Sequence, residues 1–268
     1  MTMQEPLPAT PAATVIVFRN GSIAGQPELL MVTRSKVLNF AGGMAVFPGG
    51  RVDDPDRDLA RQLGLATDVD DAAARIAAIR ETLEETGLAL GLTRPVEAQE
   101  AAAARALLHE GQELATILAR FGWELNAEAL VPFARWLPNH AHARIFDTRF
   151  YLADLGTGAV DIAVDQTENT RLFWTSANAA LERADKGEIS IIFPTRRNLE
   201  RLAQFGSFAD ARQHAQDVPV RIVTPWVEER NNQPTLCIPD DAGYPITAES
   251  LASAETVGKP KWNRQPSA

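Results

Sequence analysis

The chain has 268 residues and a formal net charge of −9, from 26 basic and 35 acidic side chains. Its length suits one large domain or two small ones. The composition, with 45% hydrophobic and 23% charged residues, excludes a disordered or collagenous chain. The acidic balance argues against a nucleic-acid partner, and no run approaches 18 apolar residues, which argues against a membrane span. The lone Cys237 excludes an internal disulfide.

The N-terminal half is predicted to contain short strands followed by helices. Residues 1–12 carry three prolines and are predicted to form a flexible leader. Apolar and β-branched runs predict strands at 14–18, 29–33 and 44–47. The acidic run that begins at Asp53 is interpreted as a solvated loop. A helix capped by Asp70 or Asp71 is expected to follow and to end at Gly87.

The second half continues the mixture of strands and helices. Residues 97–125, rich in alanine and leucine, are predicted to be a helical insertion. Further strands are predicted at 131–136, 146–152, 171–174, 189–193, 220–223 and 235–238, with helices after Ser176 and from about Thr195, and a tail over 246–268. Because the elements interleave without strict alternation, the predicted fold class is α/β in the broad α+β sense, with one domain over 13–245.

The segment Arg80-Glu81-Thr82-Leu83-Glu84-Glu85-Thr86-Gly87-Leu88 carries the clearest chemical signal. On a helix, Glu81, Glu84 and Glu85 fall on one side at i, i+3 and i+4, opposite a stripe formed by Ile76, Ile79 and Leu83. Three carboxylates so close repel one another, and Mg²⁺ or Mn²⁺ would remove the repulsion. A solvated acidic helix face is the alternative interpretation.

This segment resembles the box of the Nudix hydrolase superfamily, G-x5-E-x7-R-E-U-x-E-E-x-G-U, where U is a bulky apolar residue. The matching positions are Gly50, Arg80, Glu81, Glu84, Glu85, Gly87 and Leu88. Three departures stand out. Asp56 occupies the first acidic position, Thr82 occupies a U position, and 23 residues separate Asp56 from Arg80 where the family has 7. The extra residues are assigned to an insertion at 57–70.

A second resemblance points to one branch of this superfamily. The residues Arg34-Ser35, Gly43 and Phe47-Pro48-Gly49-Gly50 are similar to the extended motif of coenzyme A-directed Nudix enzymes, although Asn39 stands where that motif has an arginine. The segments 133–136 and 144–150, and the spacing of Glu168 from Trp174, resemble a coenzyme A diphosphatase subgroup with an insertion in its box.

The resemblance implies an α/β/α sandwich around a mixed β-sheet, with extra helices inserted. It implies metal-dependent hydrolysis of a nucleoside diphosphate linked to another moiety, with coenzyme A or acyl-coenzyme A as the first candidate. Glu81, Glu84 and Glu85 would bind Mg²⁺ or Mn²⁺, Glu81 or Glu168 would serve as base, and Arg80 would hold a box carboxylate in place. Substrate contacts are expected at Arg34, Phe47, Gly49 and Gly50.

Other outcomes stay open at this point. ADP-ribose, NADH or dinucleotide polyphosphates are alternative substrates, and a non-catalytic nucleotide-binding module is a further alternative. The resemblance also allows a homodimer. The pair His140 and His142, and the pair Arg196-Arg197, are interpreted as surface residues. The sequence lacks a secretory signal at its start and a peroxisomal address at its end, so a cytoplasmic location is expected.

Overall fold

The computed structural model describes residues 9–23, 25–35, 43–65, 68–138, 145–155 and 169–254. Within these residues the strands are β1 (Thr10–Arg19), β2 (Glu28–Arg34), β3 (Ala45–Val46), β4 (Gly49–Arg51), β5 (Val131–Trp136), β6 (Phe146–Asp154), β7 (Asn169–Thr175), β8 (Ile222–Val223), β9 (Trp226–Arg230), β10 (Gln233–Cys237) and β11 (Ala248–Ser250). The helices are α1 (Asp54–Gln62), α2 (Val69–Thr86), α3 (Ala98–His109), α4 (Leu114–Phe121), α5 (Ala177–Asp185), α6 (Phe193–Leu202), α7 (Phe208–Asp217) and α8 (Leu251–Ala254).

The main sheet is mixed and has eight strands. Its path runs β3-β2-β1-β6-β5-β8, with β4 paired to β1 and β7 paired to β2. The pairs β1–β6 and β5–β8 are parallel, whereas the other pairs in this sheet are antiparallel. A smaller antiparallel sheet has the order β11-β10-β9. The predicted mixed sheet is therefore confirmed.

Both faces of the main sheet are buried, which makes the molecule a sandwich of helices around the sheet. Successive residues of β1 point to opposite faces, as a strand requires. Val15 and Val17 join a core with α1, α2, α3 and α4, whereas Ile16 and Phe18 join a second core with α5, α6 and α7. The predicted α/β/α arrangement with inserted helices is confirmed.

The insertion inside the box is helical. Asp53 precedes α1, and its backbone N–H bonds to Asp56 Oδ2 at 2.9 Å, while Pro55 fits the first turn, where no intrahelical donor is needed. Leu59 is buried against the core, but Leu63 and Leu65 are largely exposed. The acidic run was expected to be a solvated loop; that interpretation is wrong because most of the run forms the start of this helix.

Several predicted boundaries shift. The strand at 131–136 is confirmed, and Ser176 caps α5 as predicted by accepting a bond from the Ala179 N–H at 3.2 Å. The strand predicted at 189–193 is wrong, because Phe193 begins α6 with Pro194 in its first turn. The leader and the tail are shorter than predicted over the described residues, since β1 begins at Thr10 and 248–254 form β11 and α8.

The predicted helical insertion at 97–125 contains α3 and α4. In the part of the chain that the structure describes, no helix has the length and apolar character needed to cross a membrane.

Candidate active site

Helix α2 carries all three glutamates singled out by the sequence. Asp68 caps it by accepting bonds from the Asp70 and Asp71 N–H groups, so the predicted cap at Asp70 or Asp71 lies two or three residues too late. The helix ends at Gly87, whose φ of 80° is the left-handed conformation that glycine adopts without a side-chain clash. The predicted apolar stripe is buried, as expected for a helix packed on a sheet: Ile76, Ile79 and Leu83.

The turn formed by Gly49 and Gly50 meets the acidic end of α2. The Gly49 N–H donates to Glu85 Oε2 at 2.9 Å, and Glu85 is only 3% exposed. A Cβ on Gly50 would lie 2.3 Å from the Glu81 carboxyl carbon. A Cβ on Gly49 would lie 2.3 Å from the Ala13 carbonyl oxygen. Gly50 therefore lets β4 approach Glu81 of α2, and Gly49 lets β4 lie against β1 while its N–H binds Glu85.

Arg80 lies at the centre of an acidic cluster. Its Nε and Nη2 donate to Asp56 Oδ1 and Oδ2 at 3.0 and 2.9 Å, and its Nη1 donates to Glu81 Oε1 at 2.9 Å. Its Nη1 also lies 3.6 Å from Glu84 Oε2. Burial alone would lower the pKa of Arg80, but the Asp56 hydrogen bonds and the Glu81 charge raise that pKa above its usual value. Arg80 therefore stays charged.

Asp56 lies at this site, as its alignment with the first acidic position of the box predicted. The acidic run around it was interpreted as solvated, yet Asp56 is 2% exposed and binds Arg80 through both carboxylate oxygens. Helix α1 packs on α2, which brings Asp56 beside Arg80 although 23 residues separate the two in the sequence. A bidentate pair fixes the orientation of a guanidinium more strongly than a single bond does. Asp56 thus occupies the structural role of the first acidic position of the box.

The three glutamates differ in what they contact. Glu81 and Glu84 have carboxylate oxygens near Arg80, and Glu85 bonds to Gly49. Over the described ranges, no three His, Cys, Asp or Glu side chains form a group that could hold a metal ion. The expected convergence of the three carboxylates is therefore not present in this conformation.

The donor chemistry of the site suits a divalent cation. Carboxylate oxygens are the ligands that Mg²⁺ and Mn²⁺ prefer, and these three lie within five consecutive positions of one rigid helix. A glutamate side chain reorients through staggered rotamers without moving the backbone. The residues fit a cation in chemistry and in helix position, and binding one would require Glu81 and Glu84 to turn away from Arg80.

The other predicted site residues have different positions. Arg34 ends β2, where its N–H donates to the Met44 carbonyl at 2.9 Å. Phe47 is 3% exposed and packs in the second core. Glu168 lies outside the described residues, as do His140 and His142, which the sequence interpretation assigned to the surface. The surface interpretation of Arg197 is wrong, because it is 1% exposed and pairs with Glu249.

One contact at the site has no signal in the sequence pattern. Arg105, on α3, donates from Nε to the Glu84 carbonyl at 2.8 Å and from Nη2 to the Glu85 carbonyl at 3.0 Å. An arginine in an alanine-rich helix gives no hint of such a partner. Only the packing of α3 against α2 reveals it.

A cavity of about 200 Å³ opens near the other end of α2 and includes Asp71, Arg135, Arg149 and Tyr151 in its lining. Arg149 Nη1 donates to Asp71 at 3.0 Å, and Arg135 pairs with Asp147 at 2.6 Å. Tyr151 also donates to Asp71 at 2.8 Å. Because these charges are balanced within the protein, the cavity does not define a separate anion site.

The fold and the box residues are similar to those of Nudix hydrolases. Residues 8–121 match the model of the NUDIX domain family. The chain is 28% identical over 254 residues to the acyl-coenzyme A diphosphatase NUDT19 of Gallus gallus, covering 75% of this chain and 67% of that protein. A Nudix hydrolase of solved structure from Alicyclobacillus acidocaldarius is 28% identical, covers 77% of this chain and 96% of its own, and gives a TM-score of 0.67.

Nudix hydrolases generally use divalent metals and act on small nucleotide substrates. The match over residues 8–121 and the similarity to these two proteins support a Nudix pyrophosphohydrolase.

Proposed function

We propose that the chain hydrolyses the diphosphate bond of coenzyme A or an acyl-coenzyme A. The observation that carries this proposal is the placement of Glu81, Glu84 and Glu85 at one end of α2, beside the Gly49–Gly50 turn. The similarity to an acyl-coenzyme A diphosphatase supports this substrate, as does the Arg34-Ser35 motif. The products would be 3′,5′-ADP and phosphopantetheine, or its acyl form, with one water consumed.

Each box residue has a separate task in this proposal. Glu84 and Glu85 bind a cation, and Glu81 either joins them or accepts the proton of the attacking water. Arg80 positions Glu81 from a guanidinium that Asp56 fixes. The proposed distal base is Glu168.

Magnesium or manganese is the proposed cofactor, held by Glu81, Glu84 and Glu85. Such an ion supplies positive charge that offsets the diphosphate and polarises its oxygens. In phosphoryl chemistry, positioning and electrostatic stabilisation provide most of the rate.

The remaining substrate contacts follow from the extended motif. Arg34 is the proposed partner of a substrate phosphate, because a planar guanidinium matches two phosphate oxygens. Gly49 and Gly50 would bring backbone close to the substrate. Phe47, buried beneath this turn in the second core, would support the turn rather than touch the substrate widely.

Alternative substrates and an alternative function follow from the same site. ADP-ribose, NADH and dinucleotide polyphosphates share the same diphosphate linkage, and the mismatch at Asn39 makes them the natural alternatives. A non-catalytic nucleotide-binding module is the alternative to an enzyme of any specificity. A homodimer, a cytoplasmic location and the absence of nucleic-acid or membrane partners stay predictions.

A substrate panel tests the proposal. Wild type is incubated with Mg²⁺ and, separately, coenzyme A, an acyl-coenzyme A, ADP-ribose, NADH or a diadenosine polyphosphate, and products are identified by mass spectrometry. We expect 3′,5′-ADP from the coenzyme A compounds and its loss in Glu84→Gln. Glu182→Gln, an exposed change on α5, is the matched control and keeps activity. Turnover of only another compound would refute coenzyme A and acyl-coenzyme A as substrates. No turnover of any compound would refute the proposal that the chain is a diphosphatase.

A further inference from the structure

We propose that Arg105 is a positioning residue that holds the backbone of Glu84 and Glu85 in place for cation binding. The proposal rests on the function proposed above. It assigns a role to the helical insertion, since Arg105 lies on α3 rather than in the Nudix box.

The C-terminal end of a helix leaves its last carbonyl groups without intrahelical partners. In α2 the Gly87 N–H donates a hydrogen bond to the Leu83 carbonyl at 2.9 Å, and the next two carbonyls belong to Glu84 and Glu85. Arg105 donates to both of these carbonyls, from Nε at 2.8 Å and from Nη2 at 3.0 Å. One guanidinium therefore caps two successive residues that are proposed metal ligands.

The charge of Arg105 suits this place. The last turn of α2 contains no basic residue of its own, although a cation there interacts favourably with the negative end of the helix dipole. Arg105 supplies that cation from a neighbouring helix. A hydrogen bond from a charged donor is also stronger than one between neutral groups.

The insertion holds Arg105 firmly. Ala101, Ala104 and Leu108 bury one face of α3 in the same core as α2, and Arg105 follows Ala104 at the edge of that face. Glu100 joins α3 to the segment that follows α4 by accepting from Trp123 Nε1 at 2.7 Å. The guanidinium therefore reaches α2 from a helix that packs against both α2 and α4.

The Arg105 side chain lies against Gly87. A Cβ on Gly87 would lie 3.8 Å from Arg105 Cδ and Nη1, so the arginine stem passes directly beside the helix end. Gly87 of the box thus ends α2 and also borders the Arg105 side chain. Rigid support of metal ligands by such outer contacts is typically worth about 10–100-fold in metal affinity or activity.

The experiment compares Arg105→Met and Arg105→Lys with wild type, and uses Arg120→Met as the control. Arg120 is an exposed arginine of the same insertion, on α4. Mn²⁺ affinity is measured by calorimetry on protein shown to be folded by circular dichroism, and kcat and KM are measured on the substrate found in the panel. Guanidinium ion at millimolar concentration is added to Arg105→Met as a rescue.

We expect Arg105→Met to lower Mn²⁺ affinity and kcat by about 10–100-fold, with a smaller change in KM. Added guanidinium should restore part of the loss, and Arg105→Lys should retain part of the affinity. If Arg105→Met fails to fold, Arg105→Lys alone decides between the outcomes. Wild-type Mn²⁺ affinity and kcat in a folded Arg105 variant would overturn the positioning role while leaving the function intact. A wild type that neither binds Mn²⁺ nor turns over a diphosphate would overturn the function itself, and the positioning role with it.

Discussion

Replacing Asp56 by asparagine tests whether the insertion builds part of the active site. The substitution keeps the shape of the side chain and removes the charge that pairs with Arg80. Removing one partner of a buried ion pair costs about 3–5 kcal/mol. Because Arg80 retains Glu81 at 2.9 Å, we expect a loss below that range, about 2–3 kcal/mol of unfolding free energy.

Urea denaturation followed by tryptophan fluorescence measures this loss. The matched control is Asp58→Asn on the same helix, whose carboxylate pairs with Arg61 but is 64% exposed. An exposed pair contributes little, so the control should change stability by less than about 1 kcal/mol. Equal effects of the two substitutions would refute the view that Asp56 is a buried anchor.

A double-mutant cycle gives the coupling between the two partners directly. Arg80→Met leaves Asp56 buried without its main cation, and the double variant removes the pair entirely. We expect a coupling energy of about 1–3 kcal/mol, as is usual for residues in contact. Additive effects would show that the contact does not contribute to stability. Activity assays on the folded variants would then report how far Arg80 depends on Asp56 for its orientation.

Two further predictions concern the site and the second core. Gly50→Ala forces Glu81 to move, because the new Cβ would lie 2.3 Å from the Glu81 carboxyl carbon. Mn²⁺ affinity measured by calorimetry should therefore fall about tenfold or more. The control Gly206→Ala, whose new Cβ would have its nearest atoms at 3.6 Å, should leave the affinity unchanged. Burial raises the pKa of Glu200 to about 7, against the opposing effect of the Arg197 charge. A carboxyl pKa raised on folding gives a contribution that is complete below its unfolded value of about 4.5 and is lost as pH rises through 7. Wild type should therefore lose stability relative to Glu200→Gln between pH 4.5 and 8, and parallel urea-denaturation profiles would contradict this.

The sequence predicted the parts of the site that depend on local spacing. The i, i+3, i+4 pattern placed the three glutamates on one helix because helical geometry depends only on neighbouring residues. Gly87 ended that helix as expected, because a left-handed cap favours glycine. The pair Gly49–Gly50 was expected near the site and lies against Glu81 and Glu85.

Contacts between distant segments were not predictable in the same way. The resemblance aligned Asp56 with the first acidic position of the box, but its burial and its pairing with Arg80 depend on how α1 packs against α2. Arg105 lies about twenty positions from the carbonyls it binds. Arg197 is buried with Glu249 from the C-terminal strand β11, so the surface interpretation failed for lack of any knowledge of that partner.

The conformation of the carboxylates was also beyond the sequence. Spacing predicted three glutamates near one another, and the resemblance implied that Arg80 holds a box carboxylate, but neither predicted that Gly49 would bind Glu85. Rotamers depend on these competing donors, and Gly49 comes from another segment of the chain.

The most direct test of the central claim is a calorimetric titration of Mn²⁺ into wild type, Glu84→Gln and Glu182→Gln. We predict saturable binding in wild type and in Glu182→Gln, and binding weakened by about tenfold or more in Glu84→Gln. Absence of binding in wild type, or equal affinity in all three proteins, would contradict the claim that these carboxylates hold the cation.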